Sequence, residues 1–251
     1  MNEGFFGNIQ EEEEFDIKSK LTSLLKSGTP DNIELAIMVA QGQEFDIDAL
    51  TEELFDLKFW MDNLDGIPGT SKVEALRFLL SKTIINLSDK GLSALPESIG
   101  NLQNLKWLGL NENDLHRLPE SIGNLQNLEW LGLSNSNLSN LPESISNLQN
   151  LKKLWLAGNN LNSLPESIGN LQNLEMLDLG RNNLNSLPES IGNLQNLEKL
   201  WLESNNLRSV PESLYLLRGL NRLNTSENPL PEEIQASIKK FCIYTSIAHD
   251  L

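Results

Sequence analysis

Trp107, Trp130, Trp155 and Trp201 are four of the five tryptophans in the chain, and each stands at the third or fifth letter of a short LxxLxL stretch. Trp107 and Trp130 lie 23 residues apart, and Trp155 and Trp201 lie 46 apart. Residues spaced this way share one face of a repeated structure, and indole rings collected on an open face do recognition chemistry rather than bond-making. The neighbouring letters support that reading. Gly109 and Gly132 follow Trp107 and Trp130 by two residues, leaving room for a ring to lie flat or a ligand to approach. Lys153 and Lys199 precede Trp155 and Trp201 by two, which puts each ammonium within reach of a cation–π contact with its own tryptophan. Asp178 falls between those two tryptophans, and Met176, Arg181, Glu203 and Arg222 extend the set. An apolar or aromatic anchor is expected near the second to fourth repeats, which carry Trp107, Trp130 and Trp155, with charged recognition farther along.

Covalent chemistry is poorly supplied. A cysteine nucleophile needs a base and an orienting acid, and the chain holds one cysteine, Cys242, and two histidines, His116 and His249. Cys242 follows Ile234, Ile238 and Phe241 at helical spacing, the pattern of a small buried residue. There is no phosphate loop, metal-ligand cluster or hydrolase motif. No catalytic residue, metal or cofactor is assigned.

The elements that position the tryptophans come from a 23-residue period. LPESIGNLQNL begins at Leu95, Leu118, Leu141, Leu164 and Leu187, altered only by Ser146 in place of glycine. Between the copies runs LxxLxLxxNxL, as in LKWLGLNENDL at 105–115 and LEKLWLESNNL at 197–207. The LxL alternation predicts a short strand with Leu108 and Leu110 turned inward and the third and fifth letters outward. Asn113, Asn159, Asn182, Asn205 and Asn228 follow the strand, where a buried amide can satisfy turn backbone. Ser136 takes that slot once, predicting a local weakness or a water there. Pro96 and its equivalents end the strand and start the return segment. Glu97, Glu120, Glu143, Glu166 and Glu189 form an identical acidic row, read as duplication and solubility. Seven strands pairing in parallel give a face roughly 30 Å long.

This pattern resembles the leucine-rich repeat family over about 82–230, and its LPxxIGxLxxL half resembles intracellular members: bacterial cytoplasmic proteins, plant Ras-group proteins and Scribble-like scaffolds. The resemblance implies an α/β fold, a right-handed solenoid or horseshoe with a parallel concave sheet. It also implies a non-catalytic module holding a protein or peptide on that face, through Trp107, Trp130, Lys153, Trp155, Met176, Asp178, Lys199, Trp201 and Arg222. Three rivals stand beside it: a carbohydrate or small ligand on the tryptophan platform, a cysteine-dependent effector enzyme, and tryptophans copied by duplication that only stack on one another.

The chain has 251 residues, 39% of them hydrophobic, and a net charge of -16. That acidity argues against nucleic-acid or anionic-membrane partners. No apolar run is long enough to span a bilayer. The acidic start lacks a signal-peptide pattern, and secreted repeat proteins of this kind often cap their ends with disulfides, which one cysteine cannot form. A cytoplasmic location is expected, with signal-less export left open. Residues 1–81 carry 17 acids and 6 bases, unlike the rest of the chain. Residues 1–14 read as a disordered acidic tail containing Phe5 and Phe6. Residues 15–81 read as four short helices, with an N-cap at Thr29, one continuous helix from about Asp48 to Asn63, and a capping box opening at Ser71. Such helices bury little alone, so the segment is expected to cap the stack. Residues 231–251 read as a C-terminal cap, a helix from about Pro231 with 241–247 alternatively extended. A monomer is expected.

Overall fold

The computed structural model of the chain describes residues 16–25, 30–42, 46–67, 72–245 and 248–250. The acidic tail at 1–14 and the helix caps read at Thr29 and Ser71 lie outside the described residues. Contacts gather into two compact units, one reaching Lys82 and including Asn101–Asn104, the other holding the remainder. Among the described residues no helix is long and apolar enough to cross a membrane.

The first unit is helical: α1 over 16–25, α2 Pro30–Gly42, α3 Ile47–Phe55, α4 Leu57–Asn63 and α5 Lys72–Leu80. The side chain of Asp46 caps α3 by accepting from the Ala49 amide at 2.9 Å. The single helix expected over 48–63 is broken at Asp56, which sits in the left-handed region at φ 45° and donates its amide to Glu52. Aspartate tolerates that conformation better than most residues. Phe55, off the expected apolar stripe, ends α3 fully buried, and Leu50 and Trp60 are buried as well. Trp60 packs in the core, edge-on to Phe59.

The second unit is a solenoid. Seven three-residue strands, β1 Ile84–Asn86, β2 Trp107–Gly109, β3 Trp130–Gly132, β4 Lys153–Trp155, β5 Met176–Asp178, β6 Lys199–Trp201 and β7 Arg222–Asn224, recur at the repeat period and alternate with five-residue 3-10 helices such as Glu120–Asn124. Every neighbouring pair of these strands is parallel, and the sheet stays open, with its strands in chain order. The middle residue of each strand, Ile85, Leu108, Leu131, Leu154, Leu177, Leu200 or Leu223, is buried to 1% exposure or less. These leucines, with the isoleucine of most 3-10 helices and the leucines before and after them, form one continuous core. After β7 the chain forms α6, Glu232–Thr245, and then β8, Ala248–Asp250, which pairs in parallel with β7. Residues 241–245 are therefore helical rather than extended.

The constant half of the repeat builds contacts between repeats. Glu97, Glu120 and Glu166 accept from the amides of Ser121, Ser144 and Ser190 in the following repeat at 3.2–3.4 Å. The acidic row is thus a hydrogen-bonded ladder, a role beyond the solubility read from sequence. Glycine is required beside it: a Cβ on Gly123 would lie 2.7 Å from Cβ of Ser144.

Candidate functional site

Strand register arranges the outward residues in two rows. Ile84, Trp107, Trp130, Lys153, Met176, Lys199 and Arg222 are successive partners in one. Asn86, Gly109, Gly132, Trp155, Asp178, Trp201 and Asn224 are successive partners in the other. All nine residues selected from the sequence therefore share one sheet face, none closer to the core than half-buried. The cause is local. Leucines before, within and after each strand are buried, and period-two alternation leaves the intervening letters nowhere to go but out.

The rings differ in their settings. The Trp107 indole lies along its own strand over Gly109, whose added Cβ would sit 2.8 Å from Cζ3 of that ring. Gly132 has a different occupant. The Asn111 side chain covers it and accepts from the Ser134 amide at 2.8 Å. Trp130 turns instead toward Trp155, with ring centroids 5.7 Å apart and planes at 63°. The Lys153 ammonium sits 3.9 Å from the centre of the Trp130 ring, not over Trp155 as the sequence suggested. The reason is distance: residues two apart on a strand are about 6.6 Å apart, while register partners on adjacent strands are about 4.8 Å apart. Lys153 and Trp130 are such partners. Asn111 was missed because it stands two letters beyond the strand, where spacing gives no sign of its direction.

Two shallow cavities meet at Trp107. One, of about 270 Å³, lies between Ile84, Trp107 and Trp130, with Thr83, Lys106 and Glu129 at its margin. The other, of about 340 Å³, runs from Trp107 to Trp155 over Asn111, Gly132 and Ser134. Ile84 is 63% exposed and Trp130 36%, so the apolar end of the face is open to water. Beside it the Glu129 carboxylate bonds Lys152 at 2.8 Å, with Lys106 at 3.9 Å. The Lys152 contact lowers the Glu129 pKa and raises that of Lys152. A further cavity of about 560 Å³ lies off the sheet, among Glu97, Arg117, Glu120, Asn140 and Glu143. Two of its carboxylates, Glu97 and Glu120, already serve the inter-repeat ladder.

Toward the carboxyl-terminal end the face is charged. Asp178 stands between Trp155 and Trp201 in register. One of its oxygens accepts from the Gly180 amide at 3.2 Å. Burial pushes the Asp178 carboxyl above its usual range, and Glu203 adds to the shift, against the opposing pull of the Gly180 amide and Arg181.

Cys242 lies on α6 and is fully buried, and burial raises its thiol pKa, the opposite of what a nucleophile needs. Among the described residues no group of three or more metal-ligating side chains comes together.

A family model described as a leucine-rich repeat region matches residues 57–183, and a second, described as leucine rich repeat, matches 173–194. A leucine-rich repeat protein of Leptospira interrogans is similar in structure at TM-score 0.57 and 41% identity, over 58% of this chain and 37% of that one. This chain thus spans little more than a third of the length of that relative. A plant peptide hormone receptor, RGFR1, in complex with RGF2, superposes at TM-score 0.49 with 36% identity over 54% of this chain and 23% of its own. A search of the curated proteins found no match.

Proposed function

The chain belongs to the leucine-rich repeat family, and from that premise we propose that it is a non-catalytic interaction module, holding a protein or peptide segment against the sheet face that carries its tryptophans. Proteins of this fold commonly serve as interaction modules, which supports the class of activity. The observation that supports the placement is the gathering of four tryptophans on one sheet face, with Trp107, Trp130 and Trp155 lining two shallow cavities there and Trp201 farther along. Large aromatic surface left to water is unfavourable and is enriched where partners dock. The cavities are too open to enclose a small molecule, and an elongated segment suits them better. We place this activity in the cytoplasm, on the acidic composition and single cysteine.

Selection of binders from a displayed random peptide library, using the whole chain as bait, tests the proposal. Trp130→Ala and Trp155→Ala are each expected to weaken the selected peptides by about 2 kcal/mol. Ser163→Ala, exposed and off the sheet, should leave binding unchanged. Equal affinity for the wild type and both tryptophan variants would overturn the placement.

A further inference from the structure

We infer that the bound segment carries a basic side chain, lysine or arginine, that enters the notch between Trp155 and Trp201 over Asp178, four residues along the segment from an apolar residue seated on Ile84, Trp107 and Trp130. This rests on the peptide-binding reading above and specifies its ligand. The notch follows from side-chain length. Trp155, Asp178 and Trp201 are register partners on three successive strands, so their side chains leave the sheet together about 4.8 Å apart. An aspartate is much shorter than an indole, so its carboxylate sits lower than the two tryptophans that flank it in register.

No cation pairs with the charge in the notch, although Arg181 pulls on it from beyond ion-pair distance. One Asp178 oxygen is taken by the Gly180 amide. The Glu203 carboxylate from the next repeat lies over Gly180, where an added Cβ would come within 2.7 Å of its Cδ. Its Oε2 is shut from solvent with no hydrogen-bond partner. Among the described residues no lysine, arginine or histidine lies within ion-pair distance of Asp178 or Glu203. The face has its own cations one row away, but Lys153 is held over Trp130, and Lys199 is the partner of Met176 rather than of Asp178. A carboxylate without an ion pair, flanked in register by two tryptophans, is complementary to a cation that brings an aliphatic stem and a charged head. Glu203, with Oε2 inaccessible, supplies field rather than contact.

The spacing follows from the sheet. Trp130 stands on β3 and Asp178 on β5, two strand steps apart and two residues along the strand, about 12 Å in all. An extended segment laid across the strands presents side chains to one face about every 6.6 Å, so an apolar residue and a basic residue four apart span about 13 Å.

Arrays of immobilised nine-residue peptides test this, random except for leucine or phenylalanine at position 2 and lysine, glutamate or alanine at position 6. The lysine pool should bind the wild-type chain about tenfold more strongly than the glutamate pool. Asp178→Asn should abolish that preference, and Glu203→Gln should reduce it. Trp107→Ala should weaken all three pools alike. Moving lysine to position 4 should lose the gain. Pools that bind in a Trp130-dependent way with no lysine preference, or with one that survives Asp178→Asn, would overturn the basic subsite and leave the peptide-binding reading standing. Pools whose binding is indifferent to Trp130→Ala, or absent, would overturn both.

Discussion

Asn159 shows how one side chain holds a repeat to its neighbour. Its amide donates to the carbonyls of Leu133 and Leu156, and its oxygen accepts from the amides of Ser136 and Leu138, all within 3.1 Å. Asn113, Asn182, Asn205 and Asn228 repeat much of this pattern. Ser136 is too short to do so. Its hydroxyl donates to the Leu110 carbonyl, and the Leu115 amide, which an asparagine oxygen would serve, turns to the Ser136 backbone carbonyl at 2.9 Å. The expected weakness is thus largely repaired by the backbone, and left-handed His116 and Asn137 mark where the loop bends to do it. Asn159→Ala should therefore cost about 3 kcal/mol in chemical denaturation, since several buried groups are orphaned, and Ser136→Ala about 1 kcal/mol. Asp178 carries a second residue-scale expectation. Its pKa is raised by burial and by Glu203, with Arg181 and the Gly180 amide opposing and Lys153 and Lys199 in the adjacent row. A carboxyl raised above its unfolded value contributes stability below that value and loses it as pH rises through the folded one. Asp178→Asn should accordingly raise the melting temperature at neutral pH, with no gain in acid. A variant that is more stable yet blind to basic peptides would separate binding from folding.

The 3-10 helices stack as closely as they do because glycine faces the next repeat's serine. Gly100, Gly123, Gly169 and Gly192 each leave no room for a Cβ against Ser121, Ser144, Ser190 and Ser213. Ser146 is the exception, and the structure shows its accommodation. Its hydroxyl donates to the Glu143 carbonyl at 2.8 Å, and the Glu143 carboxylate takes the hydroxyl of Ser167 where Glu97, Glu120 and Glu166 take an amide. Gly123→Ala should destabilise the chain by about 1–3 kcal/mol through overpacking. Ser146→Ala should stay within about 0.5 kcal/mol, because that step already makes room for a Cβ. Equal losses in thermal or urea unfolding would show that close approach is not what glycine serves. At the end of the array the same position holds Tyr215, since no further repeat must approach, and its ring meets Phe241 of α6 at 5.4 Å.

At the scale of the whole molecule the array needs an end, because each repeat buries its core only against a neighbour. In the second unit α6 supplies one, burying Ile238 and Cys242, while β8 extends the sheet beyond β7. A chain ending at Pro231 should lose at least about 3 kcal/mol, read as a lower melting temperature, from the apolar surface uncovered. The repeat, the parallel sheet and the two outward rows were legible in the residues, because a fixed period and a strict LxL alternation leave one arrangement that buries every leucine. The nine face residues followed from that alternation alone. Their pairings did not. Lys153 chose Trp130 over Trp155, Asn111 rather than an indole covered Gly132, and Glu203 folded over Gly180 beside Asp178. Each of these depends on distances between repeats, which exist only after the stack has formed. The break at Asp56 in the helical unit is of the same kind, a left-handed residue within an apolar pattern that suits a continuous helix. By itself the sequence determined which residues face inward and which outward, since burial of apolar side chains is written in their spacing. Only the tertiary structure decided which outward residues touch, because those contacts lie between residues about one repeat apart in the chain and a single strand step apart in space.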